Sequence, residues 1–128
     1  MDLLLDTHSI LWYAFGNPKL SGRARALVDD PANAKFLSIV SPWEVSIKVS
    51  SGKLEVVQPV DVFFAGQISL LSLQLLPITL EHTALVSILP FHHRDPFDRM
   101  LVAQSLAEGM PIISADPALD AYGVVRFW

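Results

Sequence analysis

Short apolar runs alternate along this chain with longer amphipathic stretches, and that alternation restricts the fold more than any other feature. Leu3-Leu4-Leu5 reads as a buried strand, followed at once by Asp6-Thr7-His8 and a helix through about Phe15, which Asn17-Pro18 ends. Ser21 caps a second helix running to the Asp29-Asp30-Pro31 breaker. Phe36 to Val40 reads as the second strand. Ser41-Pro42-Trp43-Glu44 then has the form of a helix start: a serine cap, proline at the first position, and glutamate three after the serine. Gly52 closes that helix. Val60 to Leu73 is expected to be helical, Leu75 to Ile78 a short strand, and Leu80 to about Leu89 a helix capped by Thr79. Beyond the polar knot His92 to Pro96 comes a helix from Phe97 to Glu108, stopped by Gly109 and Pro111. Ile112-Ile113-Ser114 is a strand, Asp116-Pro117 opens a short helix, and Val124 to Phe127 is a last strand. Strands alternating with helices predict a mainly parallel sheet with helices on both faces, an α/β/α fold in one domain over residues 1–128.

Composition narrows the function classes. Hydrophobic residues are 52% of the chain and charged residues 17%, too apolar for disorder and richer than a small monomer needs. On the 3.6-residue period, Phe63, Ile68, Leu71 and Leu75 cannot share one face, so that segment should be apolar on more than one side and supply a two-fold interface. The start lacks the basic region of a signal peptide, and no apolar run reaches the ~18 residues of a membrane span, so a cytoplasmic protein without membrane contact is expected. With no cysteine there is no thiolate site, and any metal must be held by oxygen or imidazole. A net charge of −4 argues against general electrostatic coating of nucleic acid, but carboxylates gathered around a cation are compatible with a nuclease.

Five acids draw attention, and each has a plain structural explanation. Asp6 follows a strand and can cap a helix; Glu44 can complete a capping box; Asp95 and Asp116 each precede a proline, as caps do. Asp98 would be an acid in a first turn, favoured by the helix dipole. Their common placement is harder to explain that way. Asp6 and Asp116 lie just beyond the carboxyl ends of short apolar strands, where ligands bind in open parallel sheets, and Glu44 and Asp98 begin helices that can reach the same edge. Carboxylates on one rim repel unless a cation compensates them, and hard oxygen donors favour Mg²⁺ or Mn²⁺ over zinc.

Leu4-Leu5-Asp6-Thr7-His8, Ser41-Pro42-Trp43-Glu44 with Lys48 and Gly52-Lys53-Leu54, His93 to Arg99, and Ile113-Ser114-Ala115-Asp116 resemble PIN-domain proteins, and within those the VapC toxins of bacterial toxin–antitoxin pairs. The resemblance covers essentially the whole chain in order. It implies a Rossmann-like α/β/α sandwich, a Mg²⁺-dependent endoribonuclease, a homodimer, and a VapB-type antitoxin that blocks the site and brings DNA contact only indirectly. It carries the family's acidic quartet onto Asp6, Glu44, Asp98 and Asp116. Asp6 and Asp98 would be direct ligands, Asp116 would complete the shell, and Glu44 would hold a coordinated water or a second ion. Asp95 is an additional carboxylate in this stretch; Asp98 is favoured because it introduces Arg99-Met100-Leu101-Val102-Ala103. Thr7 and Ser114 are expected to support the site, with Ser114 standing where the family has a small hydroxyl residue.

Arg94, Arg99 and Lys48 could steady RNA phosphates or neutralise the neighbouring acids. His8 reads as an exposed residue of a first turn, and His92 and His93 as structural, since adjacent residues rarely point at one ion and no third zinc-type ligand follows. Trp12, Trp43 and Trp128 read as core or interface residues. No Gly-x-Ser-x-Gly elbow or Gly-rich phosphate loop is present. A catalytically weak binding module acting through protein or DNA partners is the alternative. A phosphatase of the haloacid dehalogenase type is disfavoured, because His8 stands where that family needs a second aspartate.

Overall fold

The computed structural model describes residues 1–128. Five strands form one parallel sheet: β1 (Asp2–Leu5), β2 (Ala34–Ser38), β3 (Gln74–Leu76), β4 (Ile112–Ile113) and β5 (Arg126–Phe127), in spatial order β3-β2-β1-β4-β5. The helices between them are α1 (Thr7–Ala14), α2 (Gly22–Asp29), α3 (Val40–Ser50), α4 (Val60–Leu71), α5 (Leu80–Val86) and α6 (Pro96–Glu108), with a 3₁₀ turn over Pro117–Tyr122. No helix is long and apolar enough to cross a membrane.

The two-residue period of a strand explains the three layers. In β1, Leu3 and Leu5 point into a core formed with Ile10, Ala24, Val28, Phe63 and Phe64, while Leu4 points the other way into a second core with Leu101, Val102, Ile112 and Leu119. All three leucines are fully buried, each contributing about 1.5–3 kcal/mol of hydrophobic free energy. A strand covered on both faces must be apolar throughout, which is why β1 reads as an unbroken leucine run.

Several boundaries differ from the sequence expectation. β2 ends at Ser38, and α3 starts at Val40 with Ile39 at its N-cap and no side-chain cap. Ser41 is therefore inside the helix. Its hydroxyl is buried and turned to Thr7 at 2.9 Å, so the predicted capping box does not form. Pro42 remains tolerable because a first-turn N–H has no helical partner to lose. α4 stops at Leu71, where Ser72 takes a left-handed conformation (φ 52°), and Leu75 belongs to edge strand β3. Phe63 and Leu71 are buried in the chain's own core; the large exposed apolar residues of α4 are Val62 and Leu70. α5 ends at Val86, and its capping box pairs Thr79 with His82.

The order of the strands positions the site. The chain moves outward from β1 through β2 to β3, then α5 and α6 carry it back across to β4 on the other side of β1. Between β1 and β4 the order reverses, and adjacent connections leave in opposite directions, opening a crevice at the carboxyl ends. Leu5 is in register with Ile113, so the residues just after each strand emerge side by side.

Candidate metal centre

Asp6 and Ser114 emerge at that crevice. The Asp6 carboxylate caps α1, accepting from the Ser9 N–H at 2.9 Å. Burial pushes its pKa up, and the hydroxyls of Ser114 and Ser9 only partly offset that. Asp98 projects from the first turn of α6. Burial and the charges of Asp95, Asp6 and Glu44 push its pKa up to about 7, against the favourable influence of His93. Asp116 caps the 3₁₀ turn through the Ala118 N–H at 3.0 Å. Asp6, Asp98 and Asp116 line one cavity of about 240 Å³ together with His8, Trp12 and Ala115. Capping and site-building coincide, because a cap fixes where its carboxylate points.

Glu44 behaves differently. It is buried, accepts from Thr7 Oγ1 at 2.8 Å, and pairs with Lys48 Nζ at 2.6 Å. It does not line the cavity, although its charge is felt at Asp98. Thr7 thus holds Glu44, and Lys48 offsets part of its charge. Asp95 is engaged as the cap of α6, one oxygen accepting from the N–H groups of Phe97 (2.8 Å) and Asp98 (3.3 Å). Ser114 Oγ accepts from the Asp116 N–H at 3.1 Å, tying the two ends of that loop together. Arg94 is exposed.

Arg99 is not at the site. Its buried guanidinium donates to the carbonyls of Val86, Leu89 and Pro90 and to the Tyr122 hydroxyl, and it lies 4.2 Å from the centre of the Phe91 ring. Carbonyls left at a helix end need donors, and a planar five-donor fork can reach several at once. Both terminal nitrogens of Arg99 are engaged within the fold and its side chain is buried, which removes it as a phosphate ligand.

His93 is the residue that sequence reasoning missed. Its Nε2 lies 2.8 Å from Asp116 Oδ2 and 3.3 Å from Asp98 Oδ2, and the three side chains could together hold a metal ion. Nδ1 accepts from the Asp95 N–H at 3.0 Å, so Nε2 carries the proton and donates to the carboxylates. His92 turns away and packs edge-on against Tyr122. Adjacency argued against both histidines ligating one ion, but left one of them free to reach the cluster.

The donor set suits a hard divalent cation. Three carboxylates line one cavity, two have raised pKa values, and His93 is the one side-chain donor that bridges Asp98 and Asp116. Such an arrangement is held at an electrostatic cost that a cation would reverse.

Among curated proteins, none matches the sequence significantly. Solved structures match along nearly the full length. VapBC2 from Rickettsia felis, bound to a DNA fragment from its promoter, is similar with a TM-score of 0.68 at 11% identity, covering 99% of this chain and 98% of that one. VapBC-1 from nontypeable Haemophilus influenzae gives 0.67 at 15% identity, covering 99% and 97%. VapBC-5 of Mycobacterium tuberculosis, from the VapBC family of toxin–antitoxin systems, gives 0.61 at 17% identity, covering 98% of each. At these identities the likeness is one of fold. The family profile described as PIN domain matches residues 3–125. With the parallel sheet, the reversal between β1 and β4 and the carboxylates gathered there, the chain belongs to the PIN domain family.

Proposed function

We propose that this chain is a divalent-metal-dependent endoribonuclease, the toxin of a VapBC-type pair, working in the cytoplasm as a homodimer and silenced by a VapB-type antitoxin. The observation that carries the reading is the shared cavity of Asp6, Asp98 and Asp116 at the strand-order reversal of a PIN domain. The fold neighbours that are toxin–antitoxin assemblies support the antitoxin partner, and the one bound to promoter DNA suggests that DNA contact comes through the complex.

Asp6, Asp98 and Asp116 would hold Mg²⁺ or Mn²⁺. Bound there, such an ion supplies charge neutralisation at a phosphate and a water of lowered pKa. The chain's own residues prepare the place. Ser9 and Ser114 orient Asp6, the cap at Asp95 aims the first turn of α6, and His93 holds Asp116 and Asp98 toward each other. Glu44, fixed by Thr7 and Lys48, adds negative potential without entering the cavity. No side chain is placed as a covalent nucleophile.

The test is cleavage of single-stranded RNA by wild type and by Asp6→Asn, each with Mg²⁺ and with excess chelator. Asparagine keeps size and capping while deleting the charge, so folding should survive and the rate should fall by roughly 10²-fold or more. Equal cleavage by the variant, or by wild type in chelator, would overturn the nuclease reading and favour the binding-module alternative.

A further inference from the structure

Beside the acidic cavity lies a larger one, about 370 Å³, between α1 and the end of α3 with its following loop. Thr7, Leu11, Phe15 and Asn17 line it from α1 and the turn after it; Val45, Lys48, Lys53 and Leu54 face them. His8 and Trp12 line both cavities, and Lys48 and Thr7 hold Glu44, so this groove runs directly into the cluster of acids. The two ring planes of His8 and Trp12 stack, with centroids 5.4 Å apart and planes 28° from parallel. Phe15 is half exposed at 53%.

Apart from the His8 ring and the Thr7 hydroxyl, which donates to Glu44, the polar groups of this groove are donors from Asn17, Lys48 and Lys53. In a chain of net charge −4, no carboxylate lines it. Lys53 is exposed and enters no ion pair within the chain. Asn17 spends its side-chain oxygen on the Lys19 N–H at 2.9 Å, which leaves its NH₂ group to donate outward. Aromatic surface flanked by donors suits an unpaired base, which stacks through its face and is read along its edge. Donors at that edge discriminate. Along the edge that faces the major groove in a duplex, guanine offers O6 and N7 and uracil offers O4, all acceptors, whereas adenine and cytosine place an exocyclic amino group there that would meet another donor.

Resting on the nuclease reading above, we infer that this groove binds one unpaired base beside the cleaved phosphate and prefers the keto bases guanine and uracil over adenine and cytosine. The experiment has a cleavage arm and a binding arm. In the first, wild type, Lys53→Ala, Asn17→Ala and Phe15→Ala cut a randomised single-stranded RNA pool with Mg²⁺, and the ends are sequenced. Wild type should enrich keto over amino bases by at least about fivefold at one position next to the cut, and Lys53→Ala and Asn17→Ala should flatten that preference. Cut sites with the same base frequencies in wild type and variants would overturn the subsite while leaving the nuclease reading intact. The binding arm measures labelled oligouridine and oligocytidine on Asp98→Asn, alone and combined with Lys53→Ala. Tighter oligouridine binding that Lys53→Ala abolishes supports the subsite even if wild type cuts nothing, in which case only the nuclease reading fails. Binding indifferent to base and to Lys53→Ala overturns it. So does a loss of antitoxin inhibition in these variants with base preference unchanged, since the groove would then belong to a polypeptide.

Discussion

At Asp98, burial and three neighbouring carboxylates all disfavour the charged form, and His93 alone favours it. The folded protein therefore holds a proton there up to about pH 7, whereas an unfolded aspartate releases it near ~3.9. A folded pKa above the unfolded value gives stability that is fully present below about pH 4 and is lost as pH rises through about 7. In chelator, wild type should thus lose melting temperature relative to Asp98→Asn between about pH 4 and pH 7. Parallel profiles for the two proteins would show that Asp98 is not strained by its surroundings. Mg²⁺ or Mn²⁺ should restore wild type at the higher pH and leave Asp98→Asn unmoved, because a ligand stabilises only the state that binds it. Asp95 gives the opposite expectation. Asparagine caps about as well as aspartate, so Asp95→Asn should keep the fold, the metal response and most of the cleavage rate. A greater catalytic loss at Asp95 than at Asp98 would reverse the roles assigned to them.

Among the elements, α6 shows what a sequence can and cannot reveal. Its cap at Asp95, its proline at the first position and its glycine stop at Gly109 are local chemistry, and all lie where they were expected. Arg99 is not local: its partners come from the end of α5, the following loop and the 3₁₀ turn, which only the packed fold brings together. Lysine cannot reproduce that fork, so Arg99→Lys should cost about 2–3 kcal/mol in chemical denaturation without changing RNA affinity. A stable variant with weakened RNA binding would return Arg99 to the site. The start of α3 teaches the same lesson. Ser41 and Glu44 have the spacing of a capping box, but burial against Thr7 uses the serine hydroxyl across the core and the helix begins two residues earlier than that cap would place it. The shared placement of Asp6, Asp98 and Asp116 was legible because strand ends and helix starts are written in the local pattern; that of His93 was not, because its reach to Asp116 depends on how the loop before α6 meets the 3₁₀ turn after β4.

In the whole molecule, the sheet and both cores are closed by the chain itself, yet Leu70, Leu80, Ile88 and Phe91 remain 72%, 87%, 76% and 84% exposed. Phe63 and Leu71, which the sequence pattern offers as interface candidates, lie inside the core, so charging them would unfold the monomer instead of splitting a dimer. The proposed homodimer is tested at the surface: Leu70→Asp or Leu80→Asp should yield a folded monomer by light scattering at micromolar concentration. A wild type that is already monomeric at that concentration would contradict the homodimer. Mn²⁺ binding by calorimetry and RNA cleavage should be followed over one titration for wild type and Asp98→Asn. The two wild-type curves should saturate together, and both should vanish in the variant. RNA cut at full rate before any Mn²⁺ has bound, or by Asp98→Asn as fast as by wild type, would show that cleavage does not depend on a cation held by these carboxylates.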